Sequence, residues 1–295
     1  MNVVMPTLGG KQLWADERFY FDWHIQQNVL TGHYRLLDGN DHRHAWGTLD
    51  QCVAKLEEIK QQQNLPPMSG KACVLLHGLF RSDDSMSRMA KYLRDKGNYL
   101  TINVTYPSTQ AAVGDHAARL QRIINHLEGV EEINFVAHSL GNLVIRNLVA
   151  NQCDQPQREV DPRIKRMVML GPPNQGACIA QALLKNDLGE LIAGKSGQQL
   201  ACQWQQLSEN LAVPPFEFGI IAGGMGGKRG YNPFLPGDND AVVEVDSTKL
   251  PGATDFVVLP VIHSTMMNQA TIQEYTLRFL QHGHFKSPDE RNPIN

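Results

Sequence analysis

The sequence predicts an α/β fold, a mostly parallel sheet with helices on both faces. Three observations predict it. Short, continuously apolar runs recur along the chain, as expected of strands covered on both sides. Segments with helical spacing alternate with them, which calls for right-handed crossovers and parallel neighbours. The chain has 295 residues, enough for one such domain with a sizeable core.

The elements follow in order. The first 47 residues lack a clear period but carry Trp14, Phe19, Tyr20, Phe21, Trp23, Tyr34 and Trp46. They are expected to wrap over the main body and bury their rings, because exposed patches of this kind invite aggregation. Thr48 with Gln51 reads as a capping box opening a helix that runs to about Gln63 and stops before Pro66 and Pro67. The first apolar strand covers 72–76, followed by a helix over about 85–96 and a second strand at 100–105. Residues 114–127 form a helix with Ala117, Leu120, Ile123, Ile124 and Leu127 on one face. A third strand at 133–137 runs into a helix at 140–150. Strands at 166–170, 216–222 and 254–259 follow, and a helix at 265–281 closes the fold.

The expected organisation is an N-terminal extension over 1–69, a main domain over 70–285 and a short tail over 286–295. The stretch 172–215 exceeds one crossover helix and contains Ile179, Leu183, Leu184, Leu188, Leu191, Ile192, Leu200, Trp204 and Leu207. It is either a helical lid with an apolar inner face or a cover for the sheet.

Composition excludes several classes. The net charge is -3 and the basic residues are scattered, so a nucleic-acid partner is not expected. No run approaches the 18 to 20 apolar residues, roughly, of a membrane helix, so no integral membrane segment is expected. The N-terminus lacks the basic-then-apolar pattern of a signal peptide. The five cysteines, Cys52, Cys73, Cys153, Cys178 and Cys202, are odd in number and irregularly spaced, as in reduced cytoplasmic proteins. The pairs His42/His44 and His282/His284 lack Cys or carboxylates at ligand spacing, so no metal is expected.

Ligands of open α/β sheets bind beyond the carboxyl ends of the strands. The loop after the third strand reads Ala137-His-Ser-Leu-Gly141, a strand–helix turn that lifts Ser139 above the sheet between two small residues. After the first strand comes His77-Gly-Leu-Phe80, where a glycine turn frees backbone N–H groups. The N–H groups of Leu79 and Leu140 are then candidates for an oxyanion hole. The last strand-end loop carries His263, whereas His116 and His126 lie on a helix and His282 and His284 lie past the closing helix. Asp238, Asp240 and Asp246 each stand between Ser139 and His263. Asp240 is preferred because Ala241-Val-Val243 can anchor it. Asp238 after Gly237 reads as a turn acceptor and Asp246 as a cap.

The set HGLF at 77, AHSLG at 137, GPPNQGA at 171, PGDND-AVV at 236 and VIHS at 261 resembles the α/β-hydrolase fold. More narrowly, it is similar to the bacterial lipase and esterase branch, with G-H-S-x-G around the nucleophile and N-D-G-x-V around the acid. Ala137 and Ala241 depart from the glycines of those patterns. The resemblance covers about residues 70 to 282. The first 60 residues match nothing in it.

The residues together imply a serine hydrolase of carboxylic esters, lipid-like or simple acyl, working through an acyl-serine intermediate without any cofactor. Ser139 is the expected nucleophile, His263 the base, Asp240 its orienting acid, and Leu79 and Leu140 the oxyanion donors. An acyltransferase with the same triad, or a binding protein that keeps the fold, are the alternatives. Neither substrate identity nor oligomeric state is legible.

Overall fold

A computed structural model describes residues 5–6, 11–153, 159–176 and 187–295. The chain opens with five strands: β1 (Met5–Pro6), β2 (Trp14–Tyr20), β3 (Trp23–Asn28), β4 (Tyr34–Leu37) and β5 (His42–Gly47). They pair antiparallel in the order β1-β5-β4-β3-β2. The aperiodic wrap read from the sequence is therefore a regular sheet. Its alternation is hidden because both faces of β2 are buried, including Asp16 and Glu17. These charges are paired inside. Glu17 bonds Arg119 and takes Arg122 Nε at 2.7 Å, and Asp16 takes His24 Nδ1 at 2.8 Å.

Helix α1 (Leu49–Gln62) starts at the expected capping box, with Thr48 Oγ1 accepting from Gln51 N and Gln51 Oε1 from Thr48 N. It packs on β4 and β5 through a face that includes Cys52, Leu56 and Ile59.

The central sheet has six strands: β6 (Gly70–Leu76), β7 (Leu100–Val104), β8 (Val130–His138), β9 (Ile164–Leu170), β10 (Glu217–Gly223) and β11 (Asp255–Leu259). Their order is β11-β10-β9-β8-β6-β7, and every neighbouring pair is parallel. Among the described residues the further helices are α2 (Ser87–Gly97), α3 (Val113–Asn125), α4 (Leu140–Cys153), α5 (Asp187–Ala201), α6 (Trp204–Ser208), α7 (Val245–Thr248) and α8 (Ala270–His282).

Side chains of β6 alternate between two cores, as a period of two requires. Ala72, Val74 and Leu76 join Leu120 of α3, Leu143 of α4 and residues of the N-terminal sheet such as Ile25 and Leu36. Cys73 and Leu75 join Met89 and Leu93 of α2 and Phe279 of α8. Each fully buried side chain of this size stabilises by about 1.5–3 kcal/mol relative to exposure. The N-terminal sheet thus extends the core on the α3–α4 side.

Strand β6 lies between β7 and β8, so the direction of strand succession reverses beside it. Loops leaving β6 and β8 diverge there and open a crevice at the carboxyl edge.

Part of the suspected lid, 177–186, lies outside the described residues, with Ile179, Leu183, Leu184 and Cys178 in it. Helix α5 kinks at Gly194, whose φ is 62°. It rests on the loop before α3: Lys195 N donates to Thr109 O at 3.1 Å and Ser196 Oγ to Ala111 O at 2.8 Å. Cys52, Cys73, Cys153 and Cys202 are free thiols. Among the described residues, no helix is long and apolar enough to cross a membrane.

Candidate active site

Ser139 stands where β8 turns into α4, at φ 51°, a left-handed conformation that costs a non-glycine residue free energy. The turn is held by Ser139 N donating to Leu170 O at 2.9 Å and Asn142 Nδ2 to Ser139 O at 2.9 Å. The small flanking residue is required. A Cβ on Gly141 would lie 2.8 Å from Leu76 Cβ and 2.9 Å from His77 O. Leu140 is the first residue of α4, so its N–H is among the helix donors with no intrahelical acceptor.

The β6 loop sits beside this turn. A Cβ on Gly78 would approach Ser139 Cβ at 3.1 Å, so Leu79 follows directly on the residue that packs against the serine. His77 Nδ1 donates to Gly78 O at 2.8 Å, and its ring stacks on Tyr106 at 4.2 Å.

His263 begins the short 3-10 turn after β11. Its Nδ1 meets Asp240 Oδ2 at 2.6 Å, with the His263 side chain 9% exposed and the Asp240 side chain fully buried. The carboxylate can only accept, so Nδ1 carries the proton and the neutral ring keeps its lone pair on Nε2. That is the tautomer a general base needs. Asp240 is itself held: Oδ1 accepts from Val242 N at 3.0 Å and Val243 N at 2.7 Å. His263 N donates to Asp240 O at 2.8 Å, tying the two loops together.

Two strand-end glycines make room for this pair. A Cβ on Gly171, at φ 52°, would lie 3.0 Å from His263 Nδ1, and one on Gly223 would lie 2.7 Å from Asp240 Cβ.

The other acids are placed elsewhere. Asp238 accepts from the N–H groups of Met225, Gly226 and Asn239, and Asp246 lies in α7 with Lys249 at 2.7 Å. The other histidines also have different settings. His116 is buried on α3, where burial lowers its pKa to about 4. His126 ends that helix, and His282 and His284 stack on each other at 5.8 Å. His42 and His44 both face Asp38, at 3.5 and 2.8 Å. Among the described residues, no group of three or more His, Cys, Asp or Glu is arranged to hold a metal ion.

Sequence reasoning passed over His138. Its ring lies 4.5 Å from that of His263, and its Nε2 donates to His263 O at 3.0 Å. Burial, with the charge of His263 second, pushes its pKa well below the usual imidazole range and keeps it a neutral donor. The only signal in the sequence is adjacency to Ser139, because its partner is 125 residues away.

Comparisons with known proteins agree with this architecture. Residues 68–211 match the model of a family described as "Putative serine esterase (DUF676)". No curated protein matches the chain. Among solved structures, the product of gene lin2722 from Listeria innocua aligns with TM-score 0.52 and 17% identity, covering 77% of this chain and 98% of that one. Bacillus licheniformis lipase BlEst2, in propeptide form, aligns with TM-score 0.52 and 18% identity over 76% of this chain and 51% of the lipase. Phospholipase PlaB from Legionella pneumophila, in complex with thio-NAD, aligns with TM-score 0.52 and 18% identity over 73% of this chain and 56% of that one. This chain therefore spans about half the length of the lipase and the phospholipase. The chain has the α/β-hydrolase fold with an N-terminal antiparallel sheet as an extension, and the family match supports an ester hydrolase.

Proposed function

We propose that the chain is a serine hydrolase that cleaves carboxylic esters by acylation and deacylation. Ser139 Oγ attacks the ester carbonyl carbon while His263 Nε2 takes its proton. The N–H groups of Leu79 and Leu140 hold the oxyanion of the tetrahedral intermediate. Collapse expels the alcohol, which takes the proton from His263, and leaves an acyl-Ser139. Water, deprotonated by His263, then attacks that ester and releases the acid. Asp240 keeps Nδ1 protonated and stabilises the imidazolium. The observation that carries this reading is the buried 2.6 Å contact between Asp240 and His263, at the sheet edge where Ser139 occupies a left-handed turn.

The acyl group is read as apolar. Phe80 beside the oxyanion loop and Ile262 beside His263 are 49% and 39% exposed, and Met225 and Phe234 are exposed in the loop leading to Asp240. Such side chains suit an aliphatic chain or a lipid-like ester. The segment 172–215 is read as a lid, 1–69 as an extension and 286–295 as a tail. The irregular cysteines fit a cytoplasmic location.

The test is initial rates on p-nitrophenyl esters from C2 to C16, with Ser139→Ala as control and a fluorophosphonate probe for the serine. Turnover and labelling that vanish together in Ser139→Ala are expected. A Ser139→Ala protein with more than a few per cent of wild-type activity refutes the assignment, and an unlabelled Ser139 in the wild type points to a binding protein.

A further inference from the structure

The N-terminal segment touches the loop after β7 through Asp16 of β2, and the β6 loop through Gln12 in the 3-10 turn just before β2. Asp16 of β2 exchanges two bonds with Thr105, just past β7: Asp16 N donates to Thr105 O at 2.9 Å, and Thr105 N donates to Asp16 Oδ2 at 2.6 Å. Both residues are buried, at 1% and 3% exposure. The next residue, Tyr106, donates its hydroxyl to His77 O and stacks its ring on His77 with an interplanar angle of 14°. His77 Nδ1 in turn donates to Gly78 O at 2.8 Å.

That last bond, with Arg81 N donating to the same Gly78 oxygen at 3.3 Å, sets a direction. Gly78 C=O and Leu79 N–H belong to one planar trans peptide and point opposite ways. Holding the carbonyl toward the His77 ring therefore aims the Leu79 N–H to the other side. A second strut comes from Gln12, whose Nε2 donates to Arg81 O at 2.6 Å, farther along the same loop.

We propose that the N-terminal sheet braces the oxyanion loop, with Asp16 and Tyr106 as positioning residues that act on the Leu79 N–H through His77. The proposal rests on the ester-hydrolase reading. It gives the extension a role in the chemical step. A tilted donor weakens the bond to the oxyanion, which exists only after attack, and barely alters binding of the ground-state ester. Loss of a whole oxyanion donor costs about 10²–10³ in kcat, so a misaimed one is expected to cost roughly 10-fold to 30-fold.

The experiment compares Tyr106→Phe, Asp16→Ala and Glu17→Gln in the full chain. Glu17→Gln weakens the pairs with Arg119 and Arg122 on α3 and leaves both struts in place. Steady-state kinetics on p-nitrophenyl butyrate are measured with the inhibition constant of an alkyl trifluoromethyl ketone. That ketone adds Ser139 and places its oxygen where the oxyanion forms. Tyr106→Phe and Asp16→Ala are expected to lower kcat about 10-fold or more with KM within about twofold, and to weaken the ketone by a matching factor. Glu17→Gln is expected to lower the thermal midpoint and leave kcat unchanged.

The brace is refuted if Tyr106→Phe keeps kcat within twofold of wild type. It is also refuted if kcat falls without the ketone weakening, or if Glu17→Gln loses as much kcat as Asp16→Ala. Should Asp16→Ala not fold, Tyr106→Phe decides, since it removes one hydroxyl and keeps the stacked ring. Failure of the parent reading shows elsewhere: a wild type that hydrolyses no p-nitrophenyl ester and takes no fluorophosphonate at Ser139 removes the brace with it.

Discussion

Replacing Asp240 by Asn should abolish most turnover while barely disturbing the fold, and the reason lies in the orientation of one amide. In the native site Oδ1 accepts two backbone N–H groups, from Val242 and Val243, and Oδ2 accepts from His263 Nδ1. An Asn at 240 has one oxygen and one NH2 for these two sides. Turning the NH2 toward Val242 and Val243 would leave two backbone N–H groups without acceptors in a fully buried site. At about 1–3 kcal/mol for each unmet donor, that arrangement loses. The amide oxygen therefore stays on the backbone, and the NH2 faces His263. Its ring must then accept at Nδ1 and carry its proton on Nε2, where it cannot take the proton of Ser139. The tautomer error costs about 10⁴ in kcat, or about 5 kcal/mol of barrier at 1.36 kcal/mol per tenfold. The assay is kcat on one p-nitrophenyl ester for Asp238→Asn, Asp240→Asn and Asp246→Asn side by side, with thermal midpoints. Asp240→Asn is expected to lose by far the most activity and to melt within about 3 °C of wild type. A larger loss at Asp238 or Asp246, or an Asp240→Asn enzyme within tenfold of wild type, refutes the reasoning.

Ser139→Gly should abolish activity, by a factor on the order of 10⁶ in kcat. It should also raise stability by about 1 kcal/mol in chemical denaturation, because glycine adopts φ 51° without the steric cost. Gly223→Ala should destabilise by about 1–3 kcal/mol and lower kcat, since the new methyl meets Val261 O at 2.5 Å and Asp240 Cβ at 2.7 Å; urea titration beside kinetics checks both. His24 supplies a pH signature. Burial alone would lower its pKa, but the charge and hydrogen bond of Asp16, with Asp41 beyond, outweigh it and raise the value from 6.5 to about 9. A raised histidine stabilises most below pH 6.5, and the contribution, of order 3 kcal/mol, is lost as pH climbs through 9. Denaturation at pH 6 and pH 9.5 should show that decline in wild type and a flatter profile in His24→Ala.

Much of this molecule is written locally. Central strands such as β6 and the ends of β8 and β9 are short, buried, mostly apolar runs, and such runs announce themselves without reference to partners. The capping box at Thr48 and Gln51 is complete within four residues. The turn at Ser139 is legible for the same reason, because a strand, two small residues and an apolar helix lie within one stretch of chain. Asp240 could be preferred over Asp238 and Asp246 because the turn chemistry around each is set by its own neighbours.

Features formed between distant segments were not legible. The N-terminal strands carry Asp16, Glu17, Gln26 and Arg35 on buried positions, so their pattern reads as aperiodic until partners such as Arg119, Arg122 and Thr105 are brought to them. His138 is an ordinary residue beside the serine until the fold carries His263 O to its Nε2. Gly171 and Gly223 look like loop glycines, yet folding presses His263 and Asp240 against them. Local steric preference and hydrophobic period act over a few residues and leave their mark in the string. A hydrogen bond between residues 89 positions apart, as between Asp16 and Thr105, exists only once the sheets have packed.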